Sequence, residues 1–290
     1  RLIVKAYQDI DTYGAESVVS GYRNLYILQY RTTAEAYAAY GKYQSDPSIE
    51  FVQPSRIIQL EQPDEAASDS FETAARTYHT WGAAHMGVDP FIEQYLSSER
   101  LPEIIVAVVD TGINRAQSSF AGRILDDEVN YSNSGNDTAA DDYGHGTHCT
   151  GTICELTPDN VKILPFKVFD KKGSGTDEQI YLGLMYAIEQ NADIVSMSFG
   201  GLGVSPLEIE AMSIADEHGL TCVAAAGNNG DDAAYYYPGG IDTCITVAAV
   251  DREFKLAEFS NYGTMIDVAA PGVDILSTVL GENDELEAWD

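Results

Sequence analysis

Asp110 closes the apolar run IIVAVVD and is followed by Thr111 and Gly112, which sets a carboxylate rigidly at the carboxyl end of a predicted strand. An acid there either anchors the following loop or serves a neighbouring base. An acid-type dyad would need two such triplets sharing a proton, and the sequence has one. His145 and His148 stand in the segment DDYGHGTHCTGTIC, at the start of a predicted helix. Three positions apart they could share a helix face as metal ligands, but no further nitrogen or thiolate has the spacing to complete a zinc site, so no metal ligand is assigned. The glycines at 144 and 146 instead imply a close backbone approach around His145, as a catalytic base at a helix entrance requires, with His148 a structural residue inside the helix. The run LTCVAAAGNNG ends in small residues and Asn228, whose amide can donate to a developing oxyanion; a plain Gly-Asn turn has the same composition. In SMSFGG, small residues and two glycines leave backbone open to an extended peptide.

The elements that must hold these residues alternate. From Trp81 onward, apolar runs predict strands at Ile104 to Val109, Val161 to Val168, Asp193 to Met197, Leu220 to Ala226 and Cys244 to Val250, with helices at Gly146 to Cys154, Asp177 to Gln190 and Pro206 to His218. Continuous apolar strands separated by helices are the pattern of a doubly wound α/β fold, a parallel sheet buried on both faces. In such sheets ligands bind beyond the carboxyl ends of the strands, where Asp110 and Asn228 fall. Residues 1–60 predict a small α+β domain, with strands at Leu2 to Tyr7, Asn24 to Tyr30 and Ile49 to Leu60 and a helix from Thr33 to Tyr43 that Thr32 or Thr33 caps. Residues 61–80, rich in acids, Ala, Ser and Thr, read as an exposed linker between this domain and residues 81–290.

The chain has 16 basic and 46 acidic residues, a net charge of -30, which repels phosphate backbones and anionic lipid, so nucleic acid is excluded as a partner. Six of each sign lie in residues 1–60, so the excess falls entirely on the rest, where it serves solubility. No run of eighteen apolar residues offers a membrane span. Cys149 and Cys154 lie five apart in one predicted helix, beyond disulfide reach, while Cys222 and Cys244 sit in apolar strand runs as buried thiols or a strand-to-strand bridge.

Taken in order, Asp110-Thr111-Gly112, His145-Gly146-Thr147-His148, Ser198-Phe199-Gly200-Gly201, Ala225-Ala226-Gly227-Asn228 and Ala270-Pro271-Gly272 resemble the subtilisin-like serine peptidases, over nearly all of the chain from Trp81. The resemblance implies a secreted endopeptidase with His145 as general base, Asp110 as its orienting partner and Asn228 as oxyanion donor. It implies a peptide or protein substrate lying along Ser198, Phe199, Gly200 and Gly201 and along Ala224, Ala225, Ala226 and Gly227. It also puts Tyr236 near the floor of the main specificity pocket, where its bulk disfavours very large residues before the scissile bond. Cys149 after the histidine motif is similar to the proteinase K branch, which implies a thiol beneath the site and sensitivity to heavy metals. Residues 1–60 resemble the later part of a subtilisin propeptide, a folding chaperone and tethered inhibitor, with processing between Leu60 and Trp81.

Family members follow the Ala-Pro-Gly strand with Gly-Thr-Ser-Met-Ala, whose serine is the nucleophile. Gly263-Thr264-Met265 precedes that strand and Ser277 follows it too soon, so the resemblance places the serine in a segment after residue 290, in the same chain or as a separate one, and implies that residues 1–290 alone are inactive. The competing expectation is a pseudoenzyme that binds peptides without cutting them. No cofactor is required; calcium is a ligand of the family, and since the segment CELTPDNVK is short for its tight site, the acid-rich loop Asp126 to Asp142 is the alternative place for an ion.

Overall fold

The computed structural model describes residues 1–60, 80–88, 101–132, 135, 137–281 and 286–289; the predicted linker, and any processing position in it, lies outside the described residues except for Thr80. The central sheet is built from β6 (Ile104–Asp110), β7 (Val129–Asn130), β8 (Val161–Lys167), β10 (Ile194–Met197), β12 (Thr221–Ala225), β14 (Cys244–Val250) and β15 (Val268–Pro271). Its order is β15-β14-β12-β10-β6-β8-β7, and every pairing is parallel. In β6, Ala107 and Val109 point into one core with Leu164, Phe166, Val195 and Met197, while Val106 and Val108 point into the opposite one with Val161 and Ile163. Both faces are therefore dry, which is why these strands carry apolar runs without alternation.

Two helices, α4 (Asp177–Glu189) and α5 (Pro206–Glu217), cover the first face, and α3 (His145–Leu156) covers the second through Ile153 and Cys154. Both start where predicted, and their caps account for it: Thr176 with Gln179 forms a capping box on α4, and Ser205 accepts from the Glu208 amide at the head of α5, with Pro206 in the first turn. The fold is the expected doubly wound α/β architecture preceded by a small α+β unit. A short helix α2 (Trp81–Met86) and a hairpin of β16 (Ile275–Thr278) with β17 (Leu286–Trp289) complete the surroundings of α3. Among the described residues no helix is long and apolar enough to cross a membrane.

Residues 1–54 form an antiparallel sheet of β2 (Ser17–Ser20), β3 (Leu25–Gln29), β1 (Leu2–Ala6) and β4 (Ile49–Pro54), in that order, with α1 (Thr33–Gln44) on one face. Thr32 is the residue that caps α1, in a capping box with Glu35. All five residues of β1 are buried because Leu2 and Val4 pack beneath α1 while Ile3 joins the core of the main body. The predicted single strand from Ile49 to Leu60 is two. After Pro54, which has no amide hydrogen to continue the ladder, the chain leaves the small sheet and β5 (Ile57–Gln59) pairs antiparallel with β9 (Ser174–Thr176) of the main body.

Charge joins the two units. Four of the six basic residues of the N-terminal part reach carboxylates on α4 and α5: Arg1 with Glu178, Lys5 with Glu210, Arg23 with Glu217, and Arg56 with Glu208 at 3.6 Å. Gln53 donates to Asp177 at 2.8 Å and accepts from the Leu207 amide at 3.1 Å, so one buried side chain bridges the heads of both helices. Part of the acidity assigned to solubility is thus a docking surface.

Glu208 is buried there, and burial, with the charge of Asp177 added and against the pull of Arg56, raises its carboxyl from 4.5 to about 7. A carboxyl whose pKa is higher when docked takes up a proton on docking. Its contribution is complete below about 4.5 and is lost as pH rises through about 7. We expect thermal stability to fall between pH 5 and pH 8 by the equivalent of about 1–3 kcal/mol from this group. In Glu208→Gln that part of the slope should disappear in melts followed by circular dichroism; parallel curves for the two proteins would show that Glu208 does not bind a proton beneath the domain.

Candidate functional site

Asp110 is the last residue of β6 and His145 the first of α3, so the sheet supplies one member of the pair and a helix entrance the other. The Asp110 carboxylate is 1% exposed, and His145 Nδ1 lies 2.8 and 2.9 Å from its two oxygens. A buried carboxylate needs such a donor, since unpaired it would cost several kcal/mol. The Thr111 amide donates to the same carboxylate at 2.7 Å, and the Thr111 hydroxyl accepts from the Gly146 amide at 2.8 Å. Gly146 is required at this point, because a Cβ there would collide with the Gly112 carbonyl.

Asp141 fixes the start of α3. Its carboxylate accepts from the amides of Tyr143, Gly144 and Thr147 and from the Thr147 hydroxyl, at 2.6 to 3.0 Å. Sequence reasoning passed over this residue, although an acid just upstream of a helix start is a capping signal. Lower in α3, Cys149 Sγ lies 3.8 Å from His145 Nδ1, and the ligand atoms of Asp110, His145 and Cys149 all fall within 4.8 Å of one another. His148 is separate. Its Nε2 donates to the Ile275 carbonyl at 3.0 Å and its ring stacks on Trp289 at 4.4 Å, so the two histidines have different partners and do not converge on one ion.

Burial disfavours the imidazolium of His145, but the Asp110 carboxylate, with Cys149 beside it, outweighs that and raises the pKa well above 6.5. His148 moves oppositely, pushed down to about 4 by burial and then by the charge of His145, and is neutral at pH 7.

Above the pair the carboxyl ends of the strands open two depressions that share His145, Ser198, Ala225 and Asn228 on their walls. One, of about 530 Å³, is lined by His145, Cys149, Ser198, Ala224, Ala225, Asn228 and the Ala270-Pro271-Gly272 turn, with Trp289 at its wall. A narrower one of about 80 Å³ is lined by His145, Ser198, Phe199, Gly200, Ala225, Gly227, Asn228 and Tyr236. Most of the residues singled out in the sequence are thus gathered around His145. Gly201 and Ala226 are not on these walls: Gly201 pairs with Tyr237 between the short strands β11 (Gly201–Leu202) and β13 (Tyr236–Tyr237), and Ala226 packs into a small cluster with Ala233 and Ala248. Gly227, at φ +99°, makes the turn that presents Asn228, and the Asn261 side chain braces it by donating to the Ala226 carbonyl and accepting from the amides of Asn229 and Asp231.

The narrow depression is lined also by Gln59 and Leu60 of the N-terminal part. The Leu60 amide donates to the Gly173 carbonyl at 2.8 Å, and Ile58 and Leu60 are buried in the main core. This seating was not read from the sequence, because β9 is three small residues, Ser174, Gly175 and Thr176, without apolar signal. In the acid-rich loop, Asp142 pairs with Lys167, and Asp141 accepts its four hydrogen bonds at the start of α3. All four cysteines are free thiols, with Cys222 directly opposite Cys244 on neighbouring strands.

The family model of the subtilases matches residues 102–288. Over 234 residues the chain is 36% identical to subtilisin-like protease 2 of Pseudogymnoascus destructans, which covers 78% of this chain and 57% of that one. It is 31% identical over 250 residues to proteinase R of Parengyodontium album, covering 82% and 60%. The cell wall-associated protease of Bacillus subtilis is 36% identical over 197 residues, covering 65% of this chain and 22% of its own length. Among solved structures, a cold adapted subtilisin-like serine proteinase superposes with a TM-score of 0.56 at 30% identity, over 65% of this chain and 66% of that one. The chain therefore spans between about a fifth and three fifths of the length of these sequence relatives.

Replacing Asp110 by Asn keeps the shape and removes the charge that holds the proton on His145. In ¹⁵N-edited spectra we expect His145 to titrate well above 6.5 in the unmodified chain and at or below 6.5 in Asp110→Asn, with His148 remaining near 4. A His145 that titrates at the same pH in both proteins would show that the pair does not form.

Proposed function

The chain belongs to the subtilase family, and from that premise we propose that it is the proform of a secreted serine endopeptidase whose nucleophilic serine lies after residue 290. The observation that carries this reading is the Asp110–His145 pair, held at 2.8 Å and opening onto a cleft beside Asn228. With Nδ1–H donated to Asp110, the free Nε2 of His145 takes the serine proton as the hydroxyl attacks the peptide carbonyl and then returns it to the leaving amine. Asp110 holds the tautomer and stabilises the imidazolium between these steps. The Asn228 amide donates to the oxyanion. Because His145 must be neutral to act, hydrolysis rises with pH as that imidazole loses its proton.

The arrangement of the N-terminal part supports its role as tethered inhibitor. Strand β5 lies on β9 as an added strand and delivers Leu60 beside His145, as a substrate or product segment would lie. Processing beyond Leu60 would free it. At the other end, Trp289 lines the cleft beside His148, so residues following β17 in a longer chain, or a separate segment, would enter at the catalytic pair. Tyr236 in the narrow depression sets the depth available to the substrate side chain before the scissile bond.

The test is intact-mass analysis of the full native gene product and its reaction with a fluorophosphonate probe. We expect labelling of one serine downstream of residue 290 and release of a fragment ending between Leu60 and Trp81. Neither label nor processing would make the protein a peptide-binding pseudoenzyme. In the active protein, His145→Ala should abolish turnover, and Asn228→Ala should lower kcat by about 10²–10³ with KM little changed. A rise in KM with kcat unchanged would instead place Asn228 in ground-state binding.

A further inference from the structure

Strand β8 ends on a lysine that nothing in its packing requires. Lys167 is fully buried at the carboxyl edge of the sheet, beside Phe166, Val168 and Phe169, where an apolar side chain would fill the space without the cost of desolvating an ammonium. Lys162 in the same strand behaves as a surface lysine does, reaching the Gly122 carbonyl from an exposed position. Lys167 Nζ instead donates to the Thr111 carbonyl at 2.7 Å and to Asp142 Oδ1 at 2.6 Å.

Those two acceptors belong to different loops. Thr111 directly follows Asp110, and its amide and hydroxyl hold the Asp110 carboxylate and the Gly146 amide. Asp142 stands three residues before His145, next to the Asp141 carboxylate that fixes the start of α3. The Lys167 backbone completes the frame, since it is in register with Asp110 and the amides of Val168 and Phe169 donate to the Asp110 carbonyl at 2.8 and 3.2 Å. One ammonium therefore spans the segment that carries the carboxylate and the segment that carries the imidazole. A productive base must be held within about 0.5 Å of its geometry, and to the main-chain bonds that join the two segments, from the Ile113 amide to Ala139 and from the Asp141 amide to Ile113, Lys167 adds a buried charge held at both ends.

We propose that Lys167 is a positioning residue for the Asp110–His145 pair, its buried ammonium clamping the Asp110 loop to the loop that leads into His145. This rests on the reading of Asp110 and His145 as the catalytic pair, and it adds a residue that contacts neither substrate nor imidazole.

The test separates clamp from bulk stability. In the unmodified chain, proton spectra should show the strongly downfield Nδ1 proton of His145 bonded to Asp110. In Lys167→Met that resonance should vanish into solvent exchange, and in the full-length enzyme kcat should fall about ten- to a hundredfold with KM unchanged. Asp142→Asn, at a side chain 36% exposed, frees one end of the clamp without opening the core and should broaden the resonance and lower kcat severalfold, so the proposal stays testable if Lys167→Met does not fold. The double variant removes the stranded carboxylate; it should regain thermal stability without regaining the resonance. A resonance and kcat unchanged in Lys167→Met or, where that variant does not fold, in Asp142→Asn, whatever the melting temperature does, overturns the proposal, as does recovery of both in the double variant. Absence of the resonance from the unmodified chain would remove the pair itself, and with it both readings.

Discussion

The Asp110 carboxylate must be buried, charged and paired at once, and much of the molecule follows from that. It sits at the end of a strand flanked by β8 and β10 and dry on both faces, where the low dielectric strengthens every contact it makes and makes a missing one expensive. The Thr111 amide and His145 Nδ1 meet that demand. For His145 to arrive there, α3 must descend against Gly112, which requires Gly146, and its first turn must be tied down, which Asp141 does. The imidazole is thereby poised between two opposed effects, burial and a neighbouring carboxylate, of which the carboxylate prevails.

The N-terminal part is held by the complementary logic. Its sheet offers an apolar face, Ile3 and Leu25, and a set of cations to a surface of α4 and α5 that is dense in carboxylates. Where burial outweighs the pull of the paired cation, as at Glu208 beside Arg56, the carboxylate's proton affinity rises, and the dock acquires a pH dependence as a by-product of burial. Apolar area gives the dock its strength, while the paired charges give it register, setting β5 on β9 so that Leu60 reaches the cleft.

The sequence by itself determined the layered architecture, because strands buried on both faces must be apolar throughout and helices that cover them must be capped locally; the runs at Ile104 and Val161 and the boxes at Thr32 and Thr176 are such signals. It also determined which residues lie at the carboxyl edge, since Asp110, His145 and Asn228 are each announced by glycines and small residues that a close backbone approach demands. Only the tertiary structure decided what depends on distant neighbours. Gln53 meets Asp177 across 124 residues and Lys167 meets Thr111 across 56, and neither side chain carries a local pattern that names its partner. The same holds for the break at Pro54, the seating of Leu60 on three featureless residues, and the turning of Ala226 away from the cleft. Local periodicity specifies faces and caps, whereas loop-to-loop contacts are set by how the faces pack, and that information exists once the sheet has closed around the pair.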